Sequence, residues 1–425
     1  MRRLACVLLA IVAGAAATLC AGDDALSSYA PARARANLLR AAGRAIFFDR
    51  ALSVSGRQSC ASCHDPARRY NPPNARDVQL GGPALLDPGL RAPPTLSYLD
   101  RVPPYEDHHH DSEDEADNSV DNGPTGGLTW DGRVDTGAAQ AAIPLTSAFE
   151  MANTQAGVAR AARRAPWGVL LRNALGNDAL ADDAQAFAAV ARALAAFEED
   201  ADEFAPYTSK YDAYLTGRTP LTAQEQRGLA LFEDERKGNC AQCHLSKRGL
   251  DGTPPAFSDY GLIALAVPRN AGIARNRDPA FFDLGACGPE RKDKTGQGEY
   301  CGLFRTPTLR NVALRSTFFH NGKFHDLREV VEFYLTRDIT PERWYGKNAH
   351  GNTVPYDDLP PEYHANINRD PPFEEQKPGA TPRLNAQEID DVVAFMKTLT
   401  DGWLKTNPYR LERQDSMAKP APPSR

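Results

Sequence analysis

The pattern Cys-x-x-Cys-His occurs twice, at Cys60–His64 and at Cys240–His244. Two thiols two residues apart, with a histidine directly behind them, are what covalent haem attachment needs. Cys60 and Cys63, and likewise Cys240 and Cys243, would add across the two vinyl groups, while His64 and His244 would ligate the iron. A thioredoxin-like dithiol has no use for the adjoining histidine, least of all twice. A zinc site would want a second Cys-x-x-Cys close by. The chain is therefore constrained to build two haem sites, and a protein with two covalent haems moves electrons.

The N-terminus reads as an export signal over residues 1–22. Arg2 and Arg3 precede an apolar run from Leu4 to Leu19, and the small residues Ala21 and Gly22 come before Asp23 and Asp24. A membrane anchor is the alternative, but the run is short for a span, and no other stretch could cross a bilayer. A periplasmic location fits. Of the eight cysteines, Cys6 and Cys20 would leave with the signal and four would carry haem. Cys287 and Cys301 remain, and in an oxidising compartment they are expected to form a disulfide, with two free thiols as the alternative. The net charge is −6, and Glu106–Asp121 accounts for it with eight acids, no base and the run His108-His109-His110. That segment reads first as a solvated loop; clustered His and Asp also suit copper or zinc. There is no basic stripe, so nucleic acid is not an expected partner.

About 400 residues follow the signal, enough for two domains. Gly43-Arg-Ala-Ile-Phe47 precedes the first haem motif and Gly228-Leu-Ala-Leu-Phe232 the second, a weak internal repeat. Helical periodicity marks Ala34–Phe48, Ala184–Glu198, Thr222–Phe232, Leu327–Leu335 and Asn385–Leu399. Thr222 with Glu225, and Asn385 with Glu388, look like capping boxes. Pro66–Pro104 and Pro341–Pro382 read as long ordered loops. The expected fold is mainly α, with two cytochrome c-like haem domains and little β. An N-terminal haem domain is expected over 23–205 and a C-terminal one over 206–380. The helix and tail over 381–425 are expected to pack back on the N-terminal domain.

Several stretches together resemble the bacterial di-haem cytochrome c peroxidase/MauG family. They are Phe47-Phe-Asp-Arg-Ala-Leu-Ser53, Trp130-Asp-Gly-Arg133, Gln140…Pro144…Glu150-Met151, Arg305-Thr-Pro-Thr-Leu-Arg-Asn-Val312, Phe318-Phe-His-Asn-Gly322 and Val392–Leu399. The resemblance implies that His64 holds a peroxide-reacting haem and His244 an electron-transfer haem. It also implies that Trp130 relays electrons between them and that Glu150 and Gln140 lie on the distal side of the first. The residue types suit those tasks: a buried carboxylate can move the proton that O–O cleavage requires, and an amide can orient peroxide. The resemblance further implies a calcium ion between the domains, bound by an asparagine just after a Pro-Thr-x-x segment and by carbonyls before the Phe-His pair. Pro94-Thr-Leu-Ser-Tyr98 lacks that asparagine, which leaves the backbone oxygens of Arg315 and Thr317.

Two departures from the ordinary peroxidases stand out. Their second haem has a methionine sixth ligand in the helix after the Phe-His-x-Gly segment. Here that helix is Asp326–Tyr334, the matching position is Tyr334, and the four methionines (Met1, Met151, Met396, Met417) lie elsewhere in the sequence. MauG-type members use tyrosine. An anionic oxygen ligand stabilises oxidised iron, whereas methionine does the reverse. Many peroxidases also carry a blocking histidine soon after the first motif, and no histidine lies between His64 and His108.

The expected function is therefore periplasmic, hydrogen-peroxide-driven oxidation of a partner protein side chain, through a high-valent iron state shared by both haems. Within the family the chain most resembles the MbnH branch, in Cys287-Gly-Pro289, Tyr300–Phe304, Asp338…Arg343-Trp-Tyr345, Asp358–Tyr363 and Asp370–Phe373. That branch implies oxidation of a partner tryptophan to kynurenine. A cytochrome c peroxidase fed by a small redox protein is the second reading, and a non-enzymatic two-haem electron carrier the third.

Overall fold

The computed structural model describes residues 31–108, 123–374 and 376–409; the expected signal segment, His109, His110 and most of the acidic run lie outside them. The expected mainly helical architecture is present. Helix α1 covers residues 31–47. It is followed by α2 (Gly137–Thr146), α3 (Gln155–Arg164), α4 (Gly168–Leu175), α5 (Asp183–Glu198) and α6 (Ala201–Phe204). Then come α7 (Lys210–Leu215), α8 (Ala223–Glu233), α9 (Leu327–Thr336), α10 (Pro341–Trp344) and α11 (Ala386–Lys397). The strands among the described residues are two antiparallel pairs of two residues each. Leu80–Gly81 pairs with Asp87–Pro88, and Leu262–Ile263 with Phe304–Arg305. None of the described helices is long and apolar enough to cross a membrane.

The weak Gly-x-x-x-Phe repeat has a packing cause. A Cβ on Gly43 of α1 would stand 1.8 Å from the Ala193 carbonyl oxygen of α5. A Cβ on Gly228 of α8 would stand 1.9 Å from the Asp391 carbonyl oxygen of α11. In each half two helices cross backbone to backbone at a glycine, because no side chain fits there. One turn further on, a phenylalanine locks each crossing. Phe47 meets Phe197 with ring centroids 5.4 Å apart, and Phe232 meets Phe395 at 5.1 Å. Each pair leads its chain into a Cys-x-x-Cys-His turn.

This pairing corrects one expectation. Helix α11 does not pack on the N-terminal half. It closes the core of the second half against α8, with Ile389, Val392, Phe395 and Met396 buried beside Phe232 and Phe257. The sequence held the reason, since Asp391-x-x-x-Phe395 repeats the spacing of Ala193-x-x-x-Phe197. The chain beyond α11 does reach the first half, where the Tyr98 hydroxyl donates to Asp401 at 2.8 Å and Tyr409 packs with Tyr98 and Tyr207. The first core runs from Ala42 to Phe204 and the second from Tyr211 to Leu399. The capping boxes at Thr222 and Asn385 are formed. The Cys287–Cys301 disulfide is present, inside a small cluster with Leu262, Ala286 and Leu303.

Candidate haem sites

Both haem motifs fold alike. Cys60–Ser62 and Cys240–Gln242 are single 3-10 turns, and the histidine amides close back onto the first cysteine (His64 N to Cys60 O, 3.0 Å; His244 N to Cys240 O, 2.9 Å). The second ring nitrogen of each histidine is engaged by backbone. His64 Nδ1 faces the Tyr70 carbonyl at 3.4 Å and His244 Nδ1 faces the Phe257 carbonyl at 2.9 Å. A carbonyl accepts only, so Nδ1 carries the proton and Nε2 keeps its lone pair, the arrangement a metal-ligating histidine needs. Burial pulls His64 down to about 4 and lowers His244 as well, which keeps both rings neutral. Cys60, Cys63, Cys240 and Cys243 are unpaired thiols here, standing where thioether sulfurs would stand. The donor set fits a haem in each half.

Around the first motif, helix α2 delivers Gln140 and ends at Ser147, and a turn then brings Glu150 back, its amide bonded to the Ser147 carbonyl at 3.1 Å. The Glu150 backbone rests on Gly81, where a Cβ would meet the Phe149 oxygen at 2.3 Å. Burial raises the Glu150 pKa, opposed by Ser147 and the Arg133 charge. Among the described residues, Gln140 Oε1 and Gln58 Oε1 are buried without hydrogen-bond partners. Buried polar atoms seldom stay orphaned, so these two mark where another group or water belongs. Burial, and then Glu198, push the Cys60 thiol up; burial and Glu150 push Cys63 to about 11. Glu150 and Glu198 thus both face the first motif. Glu198 was not singled out in the sequence. It is the residue after the crossing Phe197, burial lifts it to about 8, and among the described residues its carboxyl has no hydrogen-bond partner.

The second motif opens into a large cavity lined by Cys240, Cys243, His244, Tyr334 and Met396. Tyr334 comes from α9, whose Asp326 N-cap accepts from the Arg328 and Glu329 amides. Its ring stacks on Phe373, and its carbonyl accepts from Gln376 Nε2 at 2.7 Å. Its hydroxyl has no hydrogen-bond partner among the described residues, and burial, then the Cys243 and Cys240 charges, push it well above the ordinary phenol range. Met396, remote in sequence from α9, also reaches this cavity, because α11 belongs to this half.

The same cavity extends to Trp130, His320 and Arg315. Trp130 is fixed by its Nε1 donating to Ala92 O and by Arg305 N donating to its carbonyl, each at 2.8 Å. The adjoining Asp131 is fully buried and ion-paired to Arg91 (2.6 Å) and Arg133 (2.9 Å). Arg133 is also the cation that lowers Glu150. One loop therefore carries a tryptophan bordering the second cavity and an arginine acting on the carboxyl of the first site.

Two cytochrome-like halves with one haem-holding turn each define a di-haem redox protein. The family model described as "Di-haem cytochrome c peroxidase" matches residues 39–220. The methylamine utilization protein MauG of Paracoccus denitrificans (strain Pd 1222) is 33% identical over 94% of this chain and 96% of its own. A solved variant of the di-haem peroxidase BthA from Burkholderia thailandensis E264 superposes with a TM-score of 0.77 at 38% identity, covering 86% of this chain and 87% of that one. A MauG-like protein associated with microbial copper homeostasis superposes with a TM-score of 0.59 at 25% identity, covering 88% and 93%. The chain belongs to the di-haem cytochrome c peroxidase/MauG family, haem oxidoreductases acting with peroxide.

Proposed function

We propose that this protein is a periplasmic enzyme that uses hydrogen peroxide to oxidise a side chain of a partner protein. In this reading both haems are attached covalently, through Cys60 and Cys63 and through Cys240 and Cys243. His64 and His244 would hold the two irons, and Tyr334 would supply a further ligand to the second. The observation that carries the reading is the Tyr334 phenol, which borders the His244 cavity with no hydrogen-bond partner among the described residues. When bound, the haems take up and hold the two oxidising equivalents of peroxide. The rest is work for the chain's own residues. Glu150, kept protonatable by burial, carries a proton from the inner to the outer peroxide oxygen. The Gln140 amide orients the peroxide and finds there the partner its Oε1 lacks. Trp130 relays electrons between the halves. An oxygen ligand on the second iron favours holding oxidising equivalents over accepting electrons from a high-potential donor.

The narrower version, in which the oxidised group is a partner tryptophan converted to kynurenine, rests on the MbnH-branch resemblance, and the likeness to a MauG-like protein associated with microbial copper homeostasis is compatible with it. The second reading, peroxide reduction with electrons from a small redox protein, is favoured by the likeness to BthA, which is called a peroxidase. One experiment separates them. The haem-loaded protein is incubated with peroxide and the product of the adjacent gene, and the partner's mass is measured; a parallel reaction offers a reduced small cytochrome. Oxygen added to a partner tryptophan supports the first reading. An unmodified partner with rapid oxidation of the cytochrome supports the second.

A further inference from the structure

The family resemblance leads to a calcium ion between the halves, with backbone oxygens of Arg315 and Thr317 among its ligands. The place is already filled by a side chain. The Arg315 guanidinium donates three hydrogen bonds there: Nε to Thr317 O at 3.0 Å, Nη1 to Asn71 Oδ1 at 3.1 Å and Nη2 to Pro93 O at 3.2 Å. Asn71 and Pro93 belong to the first half and Thr317 to the second, so one fork ties the halves together. Asn71 and Thr317 are both fully buried.

The oxygens present do not suit calcium. Calcium takes six to eight oxygen ligands, usually with carboxylates among them. Three of the neutral oxygens here are taken by the guanidinium, and among the described residues no acidic side chain pairs with Arg315. Among the described side-chain oxygens of this group, Thr317 Oγ1 alone is left buried without a partner; with the Arg315 carbonyl that makes two neutral oxygens where a full shell is required. A divalent ion would also sit against a fixed positive charge. The three oxygens do match a guanidinium, whose planar donors need acceptors and no charge of their own.

We propose that Arg315 is this protein's permanent interdomain cation, taking the role a calcium ion was expected to fill and making the coupling of the two halves independent of metal. Its charge is close enough to act on the His64 ring, and it borders the cavity that holds Tyr334 and Trp130, so it sits between the two haem sites. A guanidinium brings one positive charge where calcium brings two. Positive charge disfavours further oxidation of a nearby centre, so the substitution lightens the penalty on holding oxidising equivalents at both haems.

The test uses the haem-loaded full chain. After dialysis against a chelator, its calcium content is measured by mass spectrometry. EPR spectra of both haems and the rate of electron exchange between them are recorded with and without added calcium. The expected result is substoichiometric calcium, with spectra and rate unchanged by chelator or by calcium. Arg315→Ala should lower the holoprotein melting temperature by about 5 °C, as loss of a buried three-way hydrogen-bonding group would, and should slow exchange between the haems. Arg315→Lys, which keeps the charge but not the fork, should lie between. A stoichiometric calcium whose removal abolishes inter-haem exchange overturns the proposal, as does an Arg315→Ala protein identical to the parent in melting and exchange. If Arg315→Ala does not fold, the calcium content and chelator response of the parent still decide the matter.

Discussion

The helix crossings offer a sharp test of how each haem site is held. In Gly228→Ala the new Cβ would lie 1.9 Å from the Asp391 oxygen and 2.6 Å from its carbonyl carbon. Ordinary contact needs about 3.4 Å, so α8 and α11 must part by roughly 1.5 Å, enough to forfeit much of the dispersion energy across the crossing. The obstructing atoms are helix backbone and cannot swing away, which puts the cost near or above the top of the usual range for overpacking, about 3–4 kcal/mol. Alanine returns about 1 kcal/mol in helix propensity. A net loss of about 2–3 kcal/mol lowers the melting temperature of a unit this size by roughly 4–12 °C. Gly217→Ala is the control, since nothing lies within 4 Å of its Cβ and only its positive φ of 69° is penalised, for about 1 kcal/mol. Melting of the haem-loaded proteins is followed in the Soret band and by far-UV circular dichroism. Because α11 carries Val392 and Met396 into the second cavity, Gly228→Ala should disturb the spectrum of the second haem alone. Gly43→Ala should disturb the first. A Gly228→Ala protein that melts no lower than Gly217→Ala, or two glycine variants that perturb the same haem, would refute the argument.

Three further outcomes are expected. Tyr334→Phe should lose the low-spin ferric EPR signal of the second haem while both haems stay attached; an unchanged spectrum means another group is the ligand. Glu150→Gln, which keeps the shape but not the proton, should slow the reaction with peroxide by about 10²–10⁴-fold, read by stopped-flow absorbance, and a parental rate would remove Glu150 from the proton path. Glu198 is raised from 4.5 to about 8 in the fold, so its contribution to stability is complete below pH 4.5 and is lost as pH rises through 8, by at most about 5 kcal/mol. The melting temperature of Glu198→Gln should therefore gain on the parent steadily between pH about 5 and about 9, and a constant difference would count against a buried, unpaired carboxyl.

Local chemistry explains which parts of the fold could be read in advance. The proposed haem motifs announce themselves because covalent attachment would fix the thiol spacing and the adjoining histidine, not tertiary context. Helices α5, α8, α9 and α11 follow their apolar period, and the Thr222 and Asn385 caps need only residues three apart. Helices α2, α3 and α4 were missed. In α2, Gly137 opens the helix and Pro144 interrupts it, so neither propensity nor period speaks for a helix that tertiary packing on α5 maintains. The loop over residues 66–104 is ordered by partners far away in sequence, such as Asp131 and Asp283 on Arg91, and no local signal carries that. Gln140 and Glu150 were found through family resemblance; from residues alone, neither is marked as facing a haem turn some 80 residues away. Met396 was set aside because it is distant in sequence from α9, whereas the glycine–phenylalanine pairing of α8 with α11 brings it to the cavity.

That pairing also shows where the two halves diverge. The residue after each crossing phenylalanine faces its own haem turn. In the first half it is Glu198 and in the second Met396. A carboxyl that burial holds near neutrality can exchange a proton with a bound reactant; a thioether cannot. The first site collects such carboxyls, Glu198 beside Glu150, together with the unpartnered amide oxygens of Gln140 and Gln58, which can hold small polar molecules in line. The second cavity collects a phenol, a thioether and aromatic rings, with Arg305 and Arg315 held to about 10 by burial; the carboxyls on its lining, Asp283 and Asp358, are ion-paired to Arg91 and Arg269, and burial lifts Asp358 to about 7. Cleaving an O–O bond requires protons to move with the electrons, whereas passing an electron onward is hindered by proton motion. The proposed division, peroxide at the first haem and electron exchange at the second, accords with the carboxyl and the thioether that the two halves place at this one equivalent position.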